Sequence, residues 1–565
     1  MPPASLQINS TAPISAKITN DISANPQVQW TVSCASSPCG SFNPVTTTNE
    51  AQTSYTAPSA IPSGNIVTVT ATSKTDPTKS VSATVTITSL APTLANGTYV
   101  FQLSGPAGSG SNFISGVIVA ENGAITGGEQ DFVNYAIDQN DEENLYLFDQ
   151  ITGGSYSTTP DGNLQIILQT NDFNVGTETI NGVFISASHA QITQIGGSIG
   201  SGTLDLQPTK TAPLGGYAFS TFGVDLYGQP AGIAGILNVD SPGGISGTGS
   251  VVDINDGSTF SGAQSLAPST VSGPDTFGRI VFQLLPRAPA TFQSLYLAGY
   301  IVDTTQIRLV ETLGDNFQGV MGGTALAQAS TGNFSNSSLA GSSYVFGLDG
   351  VGLQVAGVFT ADTTATSMTG TLNWNDLTGS GNQSPIPFTG SYTVDPTGRA
   401  TLSNVTDGNT FNYQLQLYLT GSGQGLLLSS DTGQMISGRS FQQQTGSFSA
   451  ASFSGSYGLN IIQTGTYTGT SGSNSALGPL TAVPGTGTTT LTGFVDFGSG
   501  GADFPVSGNL TVSPNGIFTG SISGLSSASY KTPNNFTLYL VDDTRAVMIE
   551  TDNTQLTLGY LKLQQ

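Results

Sequence analysis

The only histidine of the chain, His189, lies nine residues before Ser198 of GGSIG (196–200), a match to the G-x-S-x-G nucleophile pattern. That pattern activates a serine on a strained strand-to-helix turn, with a histidine base and a third group to orient it. No helix signal follows Ser198, and with 73 glycines in the chain a chance match is expected. His189, within SASHAQ, is read as an exposed residue of a hairpin. A second arrangement pairs Asp303 with Glu311 in VDTTQIRLVET (302–312), and Asp542 with Glu550 in VDDTRAVMIET (541–551). If these acids faced each other across their hairpins they would have the spacing of a glycosidase pair. Acids beside turns are more simply solvated, and no catalytic residue is expected.

Calcium is the one cofactor reading. DQNDEENLYLFD (138–149) places Asp138, Asn140, Asp141 and Glu142 in one loop, so oxygen ligands fall at alternate positions. Glu143 stands where an EF-hand loop has its glycine, and a solvated acidic loop is the default. Acids recur near the ends of third strands as Asp131, Asp253, Asp256 and Asp376, which Asx-turn capping explains. Cys34 and Cys39 are the only cysteines, so a four-thiolate zinc site is impossible and a local disulfide is expected. Trp374, in LNWND, is a candidate exposed platform for a sugar ring.

These residues are set in a repeat. GSYSTTPDG (154–162), GSYTVDPTG (390–398) and GNLTVSPNG (508–516) align without a gap, the last two 118 residues apart. Each reads as an alternating strand running into a Pro-x-Gly turn. Units open on a tyrosine (Tyr99, Tyr217, Tyr344, Tyr457) and close on glutamine (Gln207, Gln328, Gln443, Gln565). The tyrosines are expected to fill a core. About eight short strands per unit, with hairpin-length connections, suit a closed up-and-down barrel, a sandwich being the alternative. The chain therefore divides into residues 1–90, followed by repeats at 91–208, 209–329, 330–444 and 445–565. The fold class is all-β: an N-terminal sandwich followed by four eight-stranded antiparallel barrel-like domains.

Charged residues are only 8% of the chain and the formal net charge is −23. Acidity of this degree excludes a nucleic-acid partner and disfavours anionic lipid. No apolar run is long enough for a transmembrane helix, and MPPASLQINS has no signal-peptide pattern. So few titratable groups predict a weak dependence of stability on pH. Poorly apolar bead surfaces predict five domains in line, reaching roughly 150–180 Å.

In residues 1–90, Trp30, the Cys34–Cys39 pair, Tyr55-Thr56-Ala57-Pro58 and the turn Asp76-Pro77-Thr78-Lys79-Ser80 resemble a bacterial immunoglobulin-like domain. Over its full length the chain resembles secreted, lipid-anchored soil-bacterial proteins in which such a domain precedes β-repeats. The resemblance implies a surface location. The missing signal pattern leaves either a cytosolic protein or one whose export signal, with any lipid anchor, belongs to a longer precursor. The composition and the cysteine pair favour the latter, so an extracellular or cell-surface protein is expected. The resemblance also implies a spacer or adhesion role and brings no activity. The expected function is a non-catalytic structural or adhesive one. A ligand carrier with lipocalin-like or streptavidin-like barrels is the alternative, and a carbohydrate-active enzyme the third reading. The partners in view are surface glycans, other surface proteins and further copies of the chain. An oxidised Cys34–Cys39 pair should make the unreduced protein two hydrogens lighter than the dithiol by mass spectrometry; quantitative alkylation of untreated protein would contradict it.

Overall fold

The computed structural model describes the chain except residues 1, 4, 36, 60, 63–64, 89–92, 106–110, 136–144, 159–162, 173–174, 197–199, 288–293, 313–314, 316, 329–331, 365, 377–383, 467–473, 499–502, 526–532 and 553–554. Asp138, Asn140, Asp141 and Glu142 of the calcium candidate, and Ser198, lie outside the described residues. The chain forms two compact units, Met1–Pro92 and Thr93–Gln565.

In the first unit a five-stranded and a three-stranded sheet enclose one core. Trp30, Phe42 and Tyr55 pack at its centre as tilted pairs, with ring centroids 5.6 and 5.1 Å apart. The alternating strand Ile66–Ser73 turns every second residue inward, which period 2 requires. Cys34 and Cys39 form a disulfide, and the Tyr55 hydroxyl donates to the Cys39 carbonyl at 2.6 Å.

The second unit consists of four closed eight-stranded antiparallel barrels. Their strands run over 97–206, 215–327, 343–442 and 455–563. In the second barrel the extra strand Phe260–Gln264 pairs only with Gly244–Asn255, outside the eight-strand circuit. Closure follows from strands that alternate apolar and polar residues and are joined by short turns: consecutive strands pair, and the last pairs with the first, leaving no edge. The lumens are packed with apolar side chains, among them Phe101, Phe219, Phe346 and Leu459. Tyr99, Tyr217, Tyr344 and Tyr457 are buried in these cores as expected. Trp374 is buried in the third core, so it offers no exposed sugar platform.

The barrels do not stand apart. Each packs on the next, and the fourth packs on the first, so the four close into a ring. Asp131 and Asp253, expected to be solvated turn caps, are 3% and 0% exposed. The Asp131 carboxylate accepts from Arg279 Nε at 2.6 Å, Arg279 Nη2 at 2.8 Å and the Tyr300 hydroxyl at 2.6 Å. Asp253 takes the same three bonds at the same lengths from Arg399 and Tyr418 of the third barrel. At the third seam Tyr539 donates to Asn373 at 2.7 Å, and Ile517 replaces the arginine. Asp256 is a turn cap, accepting from the Ser258 and Thr259 amides.

Apolar clusters complete these three seams, for example Val345, Val358, Tyr539 and Val547 between the third and fourth barrels. The fourth seam is held by polar contacts, including Asn181 Nδ2 to Asp496 at 3.0 Å and Thr193 Oγ1 to Ser475 Oγ at 2.5 Å. Glycines allow the close approach: a Cβ on Gly322 would lie 2.2 Å from Phe113, and one on Gly458 2.4 Å from Ile185.

The repeated terminal glutamine has its role here. Gln207 Nε2 donates to the Ile301 carbonyl, Gln328 to Leu419 and Gln443 to Leu540, each in the following barrel. The fourth member is Gln564, not Gln565; it donates to Phe184 of the first barrel at 2.9 Å and so closes the ring. The in-line arrangement of the repeats is thereby corrected. Outward residues of the barrel strands are apolar at the first three seams, and that surface is removed from water.

For a fragment covering 93–565, small-angle scattering should give a radius of gyration of about 23 Å, against about 40 Å for four barrels in a row. Asp253→Ala should destabilise by about 3 kcal/mol or more, because it strands Arg399 and the Tyr418 hydroxyl. Asn373→Ala should cost less. Calorimetric midpoints for the two variants check the order.

Candidate functional site

In every barrel the seventh, eighth and first strands present their outward faces to the ring centre. The seventh strands are His189–Gln194, Gln306–Glu311, Gln424–Ser429 and Arg545–Glu550. Their first residues, His189, Gln306, Gln424 and Arg545, all line one central cavity of about 440 Å³. So do their third residues, Gln191, Arg308, Leu426 and Val547. Strand alternation makes this unavoidable: with residues 190, 192, 307 and 309 turned into the barrels, the residues between them must face out.

Strand register sorts the lining into layers. The outermost holds His189 opposite Asp205 and Arg545 opposite Lys562. The middle layer holds Gln191 opposite Thr203, Arg308 opposite Thr324, Leu426 opposite Arg439 and Val547 opposite Tyr560. The third layer holds Ser104 with Phe113, Phe222 with Gly322, Asp349 with Ser437, and Ile462 with Leu558. Four of the chain's twelve Lys and Arg residues, Arg308, Arg439, Arg545 and Lys562, thus meet at one place in a protein of net charge −23.

Asp205 offsets part of this charge. Its carboxylate lies 2.6 Å from His189 Nδ1 and accepts from Arg308 Nη2 at 2.6 Å and Thr203 Oγ1 at 2.9 Å. Burial alone would raise its pKa; Arg308 and His189 overcome that and hold it well below the usual carboxylate range. Arg545 reaches back to Asp542 at 2.7 Å. Arg439 and Lys562 have no protein acceptor among the described residues, and both are half-buried, open to the cavity. Burial, with Arg308 beside it, draws the Arg439 pKa down to about 10, so it stays charged at neutral pH. Lys562 is lowered by burial and by Arg545, Arg308 and Arg439, against the pull of Asp205. Two desolvated, mutually repelling basic groups whose only nearby carboxylate among the described residues, Asp205, is already bonded to His189 and Arg308 are costly to bury unless an anion joins them.

His189 is therefore not an exposed hairpin residue: it is half-buried, bonded to Asp205 and part of this wall. Asp303 and Glu311 are not a carboxylate pair. Asp303 is in register with Gln306 and Glu311 with Leu297, at opposite ends of their hairpin and about 20 Å apart. Asp303 caps Thr305, while buried Glu311 accepts from the Gly319 amide. Asp542 likewise caps Thr544, and Glu550 is sealed by Asn534 and Thr557. Arg308, Arg439 and Lys562 carried no motif. The available signal was the scarcity of cations, four of which fall on the last two strands of their repeats.

A larger cleft of about 600 Å³ in the first unit, beside Lys17, Asp21 and Asp76, converges no comparable charge; Lys17 is exposed and paired with Glu50. No group of three or more metal-binding side chains occurs among the described residues, and no helix there is long and apolar enough to cross a membrane.

No family model matches the chain, and no curated protein matches it. Among solved structures it is similar to a protein of unknown function from the DUF3598 family of Nostoc punctiforme. That match has 9% identity and a TM-score of 0.15, over 40% of this chain and 96% of the other. It is also similar to the isotype 1 transferrin binding protein B from serogroup B Neisseria meningitidis. Here the identity is 8% and the TM-score 0.19, over 67% of this chain and 84% of the other. At those TM-scores neither likeness carries a function to this chain.

The scarcity of titratable groups suggests a weak dependence of stability on pH, but burial acts strongly on several of the few carboxylates. Glu129 is pushed up to about 8 by burial and then by Asp275 across the first seam. Burial, with Asp149, raises Glu178 to about 7, and burial raises Asp349 to about 6. Above the unfolded carboxylate range the folded protein then holds extra protons, so stability falls as pH rises from about 4.5 to about 8. The melting temperature should be at least about 2 °C higher at pH 5.5 than at pH 8. Glu129→Gln should shrink that difference.

Proposed function

We propose that the chain is an extracellular, non-catalytic ligand-binding protein in which four barrels act as a rigid ring and bind a small anion between them. The observation that carries this reading is the pair Arg439 and Lys562, half-buried and without protein acceptors among the described residues, in a cavity of about 440 Å³. A volume of that order suits a small organic ligand. The carrier alternative is retained, but its site moves from the barrel lumens, which are packed with side chains, to the space they enclose together. Support for a non-catalytic role comes from the commitments around His189. Its Asp205 partner is shared with Arg308 and Thr203, and among the described residues no hydroxyl is bonded to the imidazole. The disulfide and the low charge content support an extracellular setting.

Calorimetric titration with carboxylates and phosphates, each beside its neutral amide or alcohol, tests the proposal. Anions should bind at least about tenfold more tightly than their neutral partners. The double variant Arg439→Ala/Lys562→Ala should lose that preference while keeping the wild-type fold by circular dichroism. Equal binding by the double variant, or no binding of any anion at millimolar concentration, overturns it.

A further inference from the structure

The cavity is polarised along its length, and this narrows the ligand. All four cations lie in the outer and middle layers, with Asp205 and His189. The third layer has no cation. It presents Phe222 and Ile462, both half-buried, with Phe113 and Leu558 behind them. Its one charged group is Asp349, which accepts from Gln354 Nε2 at 2.9 Å. An acid group is attracted to the first two layers and repelled from the third, whereas an apolar body gains by covering Phe222 and Ile462. Simple inorganic anions would leave that apolar end wet, and neutral apolar molecules would leave Arg439 and Lys562 unpaired.

We propose that the ligand is an amphiphilic acid: a single anionic head held by Arg439 and Lys562, on an apolar body lying against Phe222 and Ile462. This rests on the anion-binding reading of the same cavity. Asp349 sets the polarity of the bound molecule, with its head in the first two layers and its tail in the third. A dianionic molecule with acids at both ends is disfavoured, because its second acid meets Asp349.

Hexanoate, octanoate and decanoate, titrated against the full chain beside the matching alcohols and the matching dicarboxylates, test the proposal. Affinity of the monoacids should rise about fourfold per added methylene until the cavity is filled. Dicarboxylates should bind more weakly than monoacids of equal length. Phe222→Ser and, separately, Ile462→Ser should flatten the chain-length dependence, whereas Arg439→Ala should weaken all three acids by a similar factor. Two half-buried positions are used so that one misfolded variant does not end the test. If the acids bind with an affinity independent of length, or both serine variants keep the wild-type dependence, the amphiphile is overturned and the anion site stands. If no acid binds at all, the anion reading fails and this proposal fails with it.

Discussion

The ring depends on buried carboxylates whose charge is met by the next barrel. Asp131 and Asp253 project from the outside of their own barrels, where a lone domain would leave them in water. Once the neighbour docks they are desolvated and must be fully bonded; an arginine fork plus a tyrosine hydroxyl does this at both seams. Burying an ion pair contributes little net stability, but breaking it by displacement is costly, so the contact fixes one relative placement of two barrels. The glutamine after each eighth strand makes the same demand from the backbone side, reaching carbonyls of the following barrel. Gln564 reaches the first barrel in the same way, which turns a chain of contacts into a closed one.

Closure has a chemical consequence. The outward faces of three strands per barrel are brought against one another, and the space left between four convex barrels cannot be filled by short side chains. The residues there are exempt from the apolar pattern of the seams, and the chain places a third of its cations among them. Low dielectric on all sides strengthens their interaction with any charge admitted, and competition from acids elsewhere is slight because most of the 35 Asp and Glu residues are outside the ring centre. A lumen site would have required open space, and the lumens are filled mainly by large apolar side chains, with the few inward polar groups, such as Glu178 and Glu550, bonded to their neighbours.

The seams are unequal. Two carry the carboxylate fork, one has Asn373 and Ile517 in its place, and the last is built from amides, hydroxyls and the chain's final glutamines. A polar closing seam suits assembly of four linked barrels: the earlier contacts form along the chain, and the last, with less apolar surface to expose beforehand, joins the ends.

Much of the architecture was legible in the chain. Alternation at period 2, Pro-x-Gly turns and a repeat of 118 residues define antiparallel strands that must pair with their neighbours, and eight of them close because an open edge is costly. The two cysteines could find only each other. The opening tyrosines belonged to the core. What no stretch of sequence contained was the packing of one barrel on another. The same outward position reads as a solvated acid in isolation and as a latch in the ring, as with Asp131, and the same apolar outward Val or Ile reads as scattered surface or as a seam. His189 could be placed in a hairpin but not beside Arg308 of the next repeat, because that neighbour is set by tertiary docking over more than a hundred residues. The candidate site belongs to this second kind: apart from His189, its lining residues are unremarked in their own strands, and only the closed ring makes a cavity of them.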